Sequence, residues 1–283
     1  MSSPIAKSWV HATIMIENEW GGKGTGFLVF REISPDKGRV FLCTNKHVLN
    51  SNSGFRDTAT KIICHLNVKD ANGKIAGKSY ELPLLLSDGT KRWKQHPEQD
   101  VDVLVFDVTD LINGIPEMDK KWADYSLFAD ESVLANEEIT VGEDVMMVGY
   151  PKGFRQGESN LPIVRQGIIA SHIGQRYIED SEDKNGNPVH RSIRGFLVDG
   201  GIGIIHGSSG SPVILKPVTG RFVKNGIVMG ESKPYLLGIL AETRFADIDA
   251  PSGPMVSFAG LGMAFDASTV KETIELFFPP AAP

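Results

Sequence analysis

Residues 207 to 212 read Gly207-Ser-Ser-Gly-Ser-Pro212, a turn that sets the hydroxyl of Ser209 at the apex of a tight bend. The flanking N–H groups of Gly207 and Ser209 are then able to point at a common spot. A nucleophile beside two amide donors is what acyl transfer at a carbonyl requires. Gly/Ser-rich turns are also ordinary loop material, so the rest of the chain has to supply partners.

A serine hydroxyl is a poor nucleophile near neutral pH. It needs a base, and the base needs an acid to orient it. Among seven histidines, His47 stands out, because it ends the apolar run Val40-Phe-Leu-Cys-Thr44 where a strand gives way to a loop. The bland reading of such a histidine is a satisfied surface residue. An acid occurs in His96-Pro-Glu-Gln-Asp-Val-Asp-Val-Leu-Val-Phe106, at the start of another apolar strand. Asp100 and Asp102 are two residues apart and face the same way on a strand. Asp102 is preferred because an uninterrupted apolar run follows it, although both acids could simply mark the solvated start of the strand.

The elements that must hold these residues are short β-like runs. Val10–Ile16, Gly26–Phe30, Val40–Thr44, Ile62–Val68, Tyr80–Leu86 and Val101–Val108 are separated by Gly, Pro, Asn, Asp and Ser clusters. The pattern resumes at Ile139, Val145–Val148, Ile163–Ala170, Gly195–Val198, Pro212–Leu215, Ile227–Met229, Leu236–Ala241 and Met255–Phe258. Such spacing argues for an all-β sandwich or barrel. Residues 109–138 lack a clear period and read as a linker between two halves, with room for a short helical turn. Residues 179–190 read as a solvated hairpin tip or loop. One helix is expected at the end, with Ser268 as N-cap, an apolar face of Val270, Ile274, Leu276 and Phe277, and a stop at Pro279-Pro280.

Composition narrows the functional classes. The chain has 283 residues, net charge −6 and no basic block, which disfavours nucleic acid and anionic membranes as partners. No stretch approaches 18 consecutive apolar residues, so no membrane span is expected. The N-terminus does not resemble a secretory signal. Two cysteines, Cys43 and Cys64, are too few for a disulfide framework and read as buried thiols. Together these point to a cytoplasmic protein with no metal or cofactor.

Gly24-Thr-Gly-Phe-Leu-Val29, Thr44-Asn-Lys-His-Val48, Asp102-Val-Leu-Val and Gly207-Ser-Ser-Gly-Ser-Pro212 together resemble the trypsin/chymotrypsin superfamily. The order His, Asp, Ser matches that group rather than subtilisin or the α/β-hydrolases, whose elbow would need glycine where Ser211 stands. The nearer likeness is to bacterial trypsin-like peptidases related to the high-temperature-requirement proteases. Val148-Gly-Tyr-Pro-Lys-Gly153, Gly167-Ile-Ile-Ala-Ser171 and Gly262-Met-Ala-Phe265 add to it. The resemblance implies two antiparallel six-stranded β-barrels (8–108 and 139–266) joined by the linker 109–138 and followed by a helix at 267–279, with the site between the barrels.

The resemblance also implies roles. Ser209 would be the nucleophile of a serine endopeptidase, His47 its general base, Asp102 the acid that orients the imidazole, and the Gly207 and Ser209 amides the oxyanion hole. Gly203 and Ile204 would line the base of the primary pocket, Ala241 and Thr243 its wall, and His206 its rim. With no acid among them, a small or medium apolar residue is expected before the scissile bond of a protein or peptide substrate. Two departures are informative. Val48 stands where secreted members carry a disulfide cysteine, and Ser208 stands where zymogen-activated members carry an aspartate. Regulation is then expected from a partner, an oligomer or a domain outside this chain. The competing expectation is a protease-fold binding module without activity.

Overall fold

Burial follows the sequence pattern most plainly in the strand Lys61–Lys69, where Ile62, Cys64, Leu66 and Val68 are buried and the residues between them are partly open. That period of two is what a sheet with one covered face demands. The computed structural model describes residues 4–35, 37–49, 59–182, 187–200, 206–250 and 253–278, with backbone alone at 4–7, 181–182, 242–250 and 253–259. Among the described residues no helix is long and apolar enough to cross a membrane.

The first half runs α1 (Pro4–Ala12), β1 (Thr13–Asn18), β2 (Lys23–Ser34), β3 (Lys37–Thr44), β4 (Lys61–Lys69), β5 (Ile75–Pro83), β6 (Trp93–Gln95) and β7 (Leu104–Asp107). The crossing segment holds α2 (Thr109–Asn113), β8 (Ala123–Asp124) and α3 (Glu131–Asn136). The second half runs β9 (Asp144–Gly149), β10 (Ile163–Ile169), β11 (Arg176–Glu182), β12 (Pro188–Asp199), β13 (Pro212–Leu215), β14 (Gly220–Val223), β15 (Gly226–Met229), β16 (Leu236–Ala250), β17 (Gly253–Asp266) and α4 (Ala267–Glu275).

The first sheet has the order β5-β4-β1-β2-β3-β7-β6, with β8 lying parallel to β2. The second has the order β10-β9-β13-β16-β17-β12-β11, and β10 also pairs with β12 through Ile168↔Asp199 and Ile169↔Val198. That extra ladder curls the second sheet back on itself. The end strands of the first share no ladder, so the expected pair of closed six-stranded barrels is only partly met. The all-β architecture holds.

Among the described residues, three apolar clusters follow from this arrangement. One fills the first sheet around Leu28, Leu42 and Phe106, and another fills the second around Met147, Phe196 and Leu237. The third lies between them and gathers Phe27, Phe41, Val103, Val148, Ile239 and Phe265 with Val270 and Ile274 of α4. The helix at the end of the second half therefore packs on the first. Phe277 and Phe278 continue that contact, with ring centroids 5.2 and 5.9 Å from Phe41.

Several local expectations need correction. Val10–Ala12 belongs to α1 rather than to a strand, because helix α1 carries Trp9 into the core. That indole is fully buried, donates to the carbonyl of Pro234 at 2.9 Å and meets Phe27 edge-on. Tyr80–Leu86 ends earlier, at Pro83, and Val101–Val103 lie outside β7 and join no ladder. Ile139 joins no strand. Much of 179–190 is not loop: β11 and β12 stay paired out to Glu182↔Pro188. Asp266, not Ser268, takes the N-cap position of α4, and the Ser268 hydroxyl instead accepts from Arg194 at 3.2 Å.

Candidate active site

The segment that leaves β3 turns at once into a short 3-10 helix, Lys46–Leu49, and this swings His47 out of the sheet into solvent. Asp102 sits just before β7, the strand paired to β3, so the two strand ends bring the residues together. Asp102 Oδ1 accepts the backbone N–H of His47 at 3.1 Å, and Oδ2 makes a very short bond with ring Nδ1. Asn45 adds a brace by donating from Nδ2 to the Asp102 carbonyl at 2.7 Å. Asp102, rather than Asp100, is the acid whose carboxylate meets the imidazole. Lys46 lies near both acids, and burial of its stem lowers its pKa against their upward pull.

Ser209 comes from the other half, in the turn before β13. Gly207 has φ +88° and Gly210 φ +87°, left-handed conformations that favour glycine. Space demands glycine too. A Cβ on Gly210 would lie 1.8 Å from the Thr25 carbonyl oxygen, and one on Gly207 would lie 2.4 Å from that of Tyr150. Thr25 of β2 clamps the turn from the first sheet. Its N–H donates to the Ser209 carbonyl at 2.8 Å and its hydroxyl to the Gly207 carbonyl at 2.8 Å, while the same hydroxyl accepts from Tyr150 N at 3.0 Å.

Among the described residues, the N–H groups of Gly207 and Ser209 have no protein acceptor, which leaves both donors available to a ligand. The Ser209 hydroxyl donates to the carbonyl of Ala241 at 3.1 Å. Ala241 lies where the β16–β17 register shifts between Leu240 and Glu242. A bulge of this kind takes a residue out of the ladder and re-aims its polar groups.

His47, Gly207 and Ser209 share one cleft of about 350 Å³, lined also by Lys23, Lys152 and His206. Thus Ser209, Gly207, His47 and His206 are brought together, and Asp102 stands behind His47. Ala241 touches the site through its carbonyl. Thr243 lies in β16 opposite Gly262, but its side chain is outside the described set, and Gly203 and Ile204 lie wholly outside the described residues. Ser208 is buried, and its hydroxyl accepts from Arg165 at 3.0 Å. Burial lowers the Arg165 pKa. Among the described residues, no group of three or more His, Cys, Asp or Glu side chains is arranged to hold a metal ion.

Sequence reading missed Thr25, Asn45 and Lys152. The signal for Thr25 was present in Gly24-Thr25-Gly26, two glycines whose Cβ atoms would strike Val48 and Leu42. No comparable signal marks Lys152, which is a non-glycine residue at φ +51°.

The trypsin-like peptidase domain family matches residues 24–223, a span that includes His47, Asp102 and Ser209. No curated relative matches the sequence. Among solved structures the chain is similar to Deg5, at 15% identity over 97% of this chain and 92% of that one, with a TM-score of 0.45. It is similar to the HtrA-type protease AlgW with decapeptide, at 14% identity over 96% and 66%, with a TM-score of 0.44. A scabies mite inactivated protease paralogue, S-I1, gives 13% identity over 96% and 97%, with a TM-score of 0.49. The chain belongs to the trypsin-like peptidase family of serine proteases.

Proposed function

We propose that the chain is a working serine endopeptidase in which Ser209 attacks the scissile carbonyl, His47 carries the proton and Asp102 orients His47. The observation that carries this reading is the two-point hold of Asp102 on His47, in a cleft shared with Ser209 and two available amide donors. A carboxylate that accepts from Nδ1–H selects the tautomer whose Nε2 holds the lone pair. That nitrogen takes the Ser209 proton as the Oγ–carbon bond forms. The Gly207 and Ser209 amides receive the charge that develops on the carbonyl oxygen. Protonation of the leaving amine by His47 breaks the peptide bond and leaves an acyl-enzyme, which water opens by the same steps in reverse order.

For this to begin, the Ser209 hydroxyl has to leave the Ala241 carbonyl and turn toward His47. The bond to Ala241 also favours a second reading, a protease-fold binding module that does not cut. Ala241 at the wall supports a preference for a small or medium apolar residue before the scissile bond. Cys43 and Cys64 are both buried as thiols, and burial pushes the Cys64 thiol up to about 12. These unpaired thiols support the placement of the enzyme in a reducing, cytoplasmic compartment.

A fluorophosphonate probe tests the reading. Wild type should label covalently and Ser209→Ala should not. A folded wild type that resists labelling would overturn active catalysis and leave the binding module.

A further inference from the structure

The cleft beside Ser209 has a charge balance opposite to that of the molecule. The chain carries net charge −6, yet Lys23 and Lys152 line the cleft and, among the described residues, no carboxylate does. Some exposed lysines are neutralised by an acid, Lys61 by Glu81, Lys74 by Glu158, Lys216 by Asp144 and Lys271 by Asp130, whereas others stand scattered over the surface. Among the described residues neither Lys23 nor Lys152 has one. Glu17, a neighbouring acid, faces His65 at 3.4 Å.

The two lysines come from different halves. Lys23 begins β2, and its stem lies over Gly153, where a Cβ would come within 2.9 Å of its Cδ and 3.5 Å of its Nζ. Lys152 is in the 3-10 turn Pro151–Gly153, held at φ +51° while its N–H donates to the carbonyl of His206 at 2.7 Å. A non-glycine residue in that region costs about 1 kcal/mol or more and persists where surrounding structure enforces it. Long cations gathered without partners next to a reactive group form an anion-selective wall.

Direction along a substrate follows from β16. Ala241 of that strand accepts from Ser209 and belongs to the wall expected on the acyl side, and Ala241 itself does not line this cleft. The cleft is therefore the side on which the leaving peptide sits. We propose that Lys23 and Lys152 select substrates carrying a carboxylate just after the scissile bond, either an Asp or Glu side chain or the C-terminal carboxylate of the cut chain. This rests on the serine-endopeptidase reading above.

The test uses peptides sharing one acyl half that the full chain cleaves. One series places Glu, Gln or Lys after the scissile bond, with an amidated C-terminus. A second keeps apolar residues there and compares a free C-terminal carboxylate with an amide. Wild type should favour the carboxylate member of at least one series by about tenfold in kcat/KM at low ionic strength, the preference shrinking as salt rises. The two series separate the side chain from the terminus as the source. In Lys23→Gln/Lys152→Gln the preference should fall to near unity.

Equal kcat/KM across both series, or a preference that survives loss of both lysines, would overturn the proposal. Fluorophosphonate labelling of wild type keeps the two levels apart, because the probe has no leaving peptide. Failure to label defeats the peptidase reading, whereas labelling without charge preference defeats only this inference.

Discussion

Asp102 holds His47 at two points, taking the backbone N–H on one carboxylate oxygen and the ring Nδ1 on the other. A single side chain therefore sets both the position of the residue and the rotation of its ring. Asp102→Asn should keep the fold but present an amide that is able to favour the wrong tautomer, and kcat should fall about 10⁴-fold. Asp100→Asn should stay within about tenfold of wild type. A crippled Asp100 variant beside an active Asp102 variant, in parallel peptide-cleavage assays, would reverse the assignment.

Gly210 is where the nucleophile turn touches the opposite sheet. In Gly210→Ala a methyl group would meet the Thr25 carbonyl at 1.8 Å in a backbone conformation that L residues avoid. Strain and overpacking together should cost about 2–5 kcal/mol. Chemical denaturation should show that loss, and fluorophosphonate labelling should slow along with it. Unchanged stability would mean that the turn is looser than its hydrogen bonds to Thr25 indicate.

Ser208 gives Arg165 one neutral acceptor, while Nε and Nη1 of that arginine are buried without partners among the described residues. A carboxylate in the same place would convert a neutral bond into a charge-assisted one. Ser208→Asp should raise stability by about 1–2 kcal/mol and Ser208→Ala should lower it by about 1 kcal/mol. Denaturation midpoints in the opposite order would show that Arg165 is satisfied in another way.

Asp266, at the N-cap of α4, is buried in a charged hollow faced by Arg194 and Glu272, with Glu98, Asp130, Glu131, Arg176 and Lys271 around it. Burial raises its pKa from 3.8 to about 6, against the pull of Arg194. The folded state thus binds this proton more tightly than the unfolded chain. Its contribution to stability is complete below about 4 and is lost as pH rises through 6, about 3 kcal/mol in all. Asp266→Asn removes that loss. Its melting temperature should exceed that of wild type at pH 8 by roughly 5 °C and converge with it at pH 4. Glu272, held down to about 2 by Arg194, acts in the opposite direction and only at lower pH. An equal gain at both pH values would rule out titration of Asp266 as the cause.

The nucleophile turn and the strand-end histidine were legible because they depend on nearest neighbours in the chain. Gly207 and Gly210 have conformations that few other residues adopt, and a strand such as Lys61–Lys69 announces its buried face by alternation. Asp102 was favoured over Asp100 by the apolar run that follows it, a local argument, but its hold on His47 required β3 and β7 to lie side by side. Helix α1 was misread because Val10–Ile16 is apolar enough for either state, and burial of Trp9 against Phe27 and Pro234 decided it. The sealing of the two halves by α4, the clamp of Thr25 on Gly207 and Ser209, and the cleft shared by Lys23 and Lys152 all join residues more than a hundred positions apart. Local propensity carries no information about such pairs. Short-range sterics and periodicity are written along the chain, whereas the charge of the cleft and the seating of the nucleophile turn arise only when two sheets pack face to face.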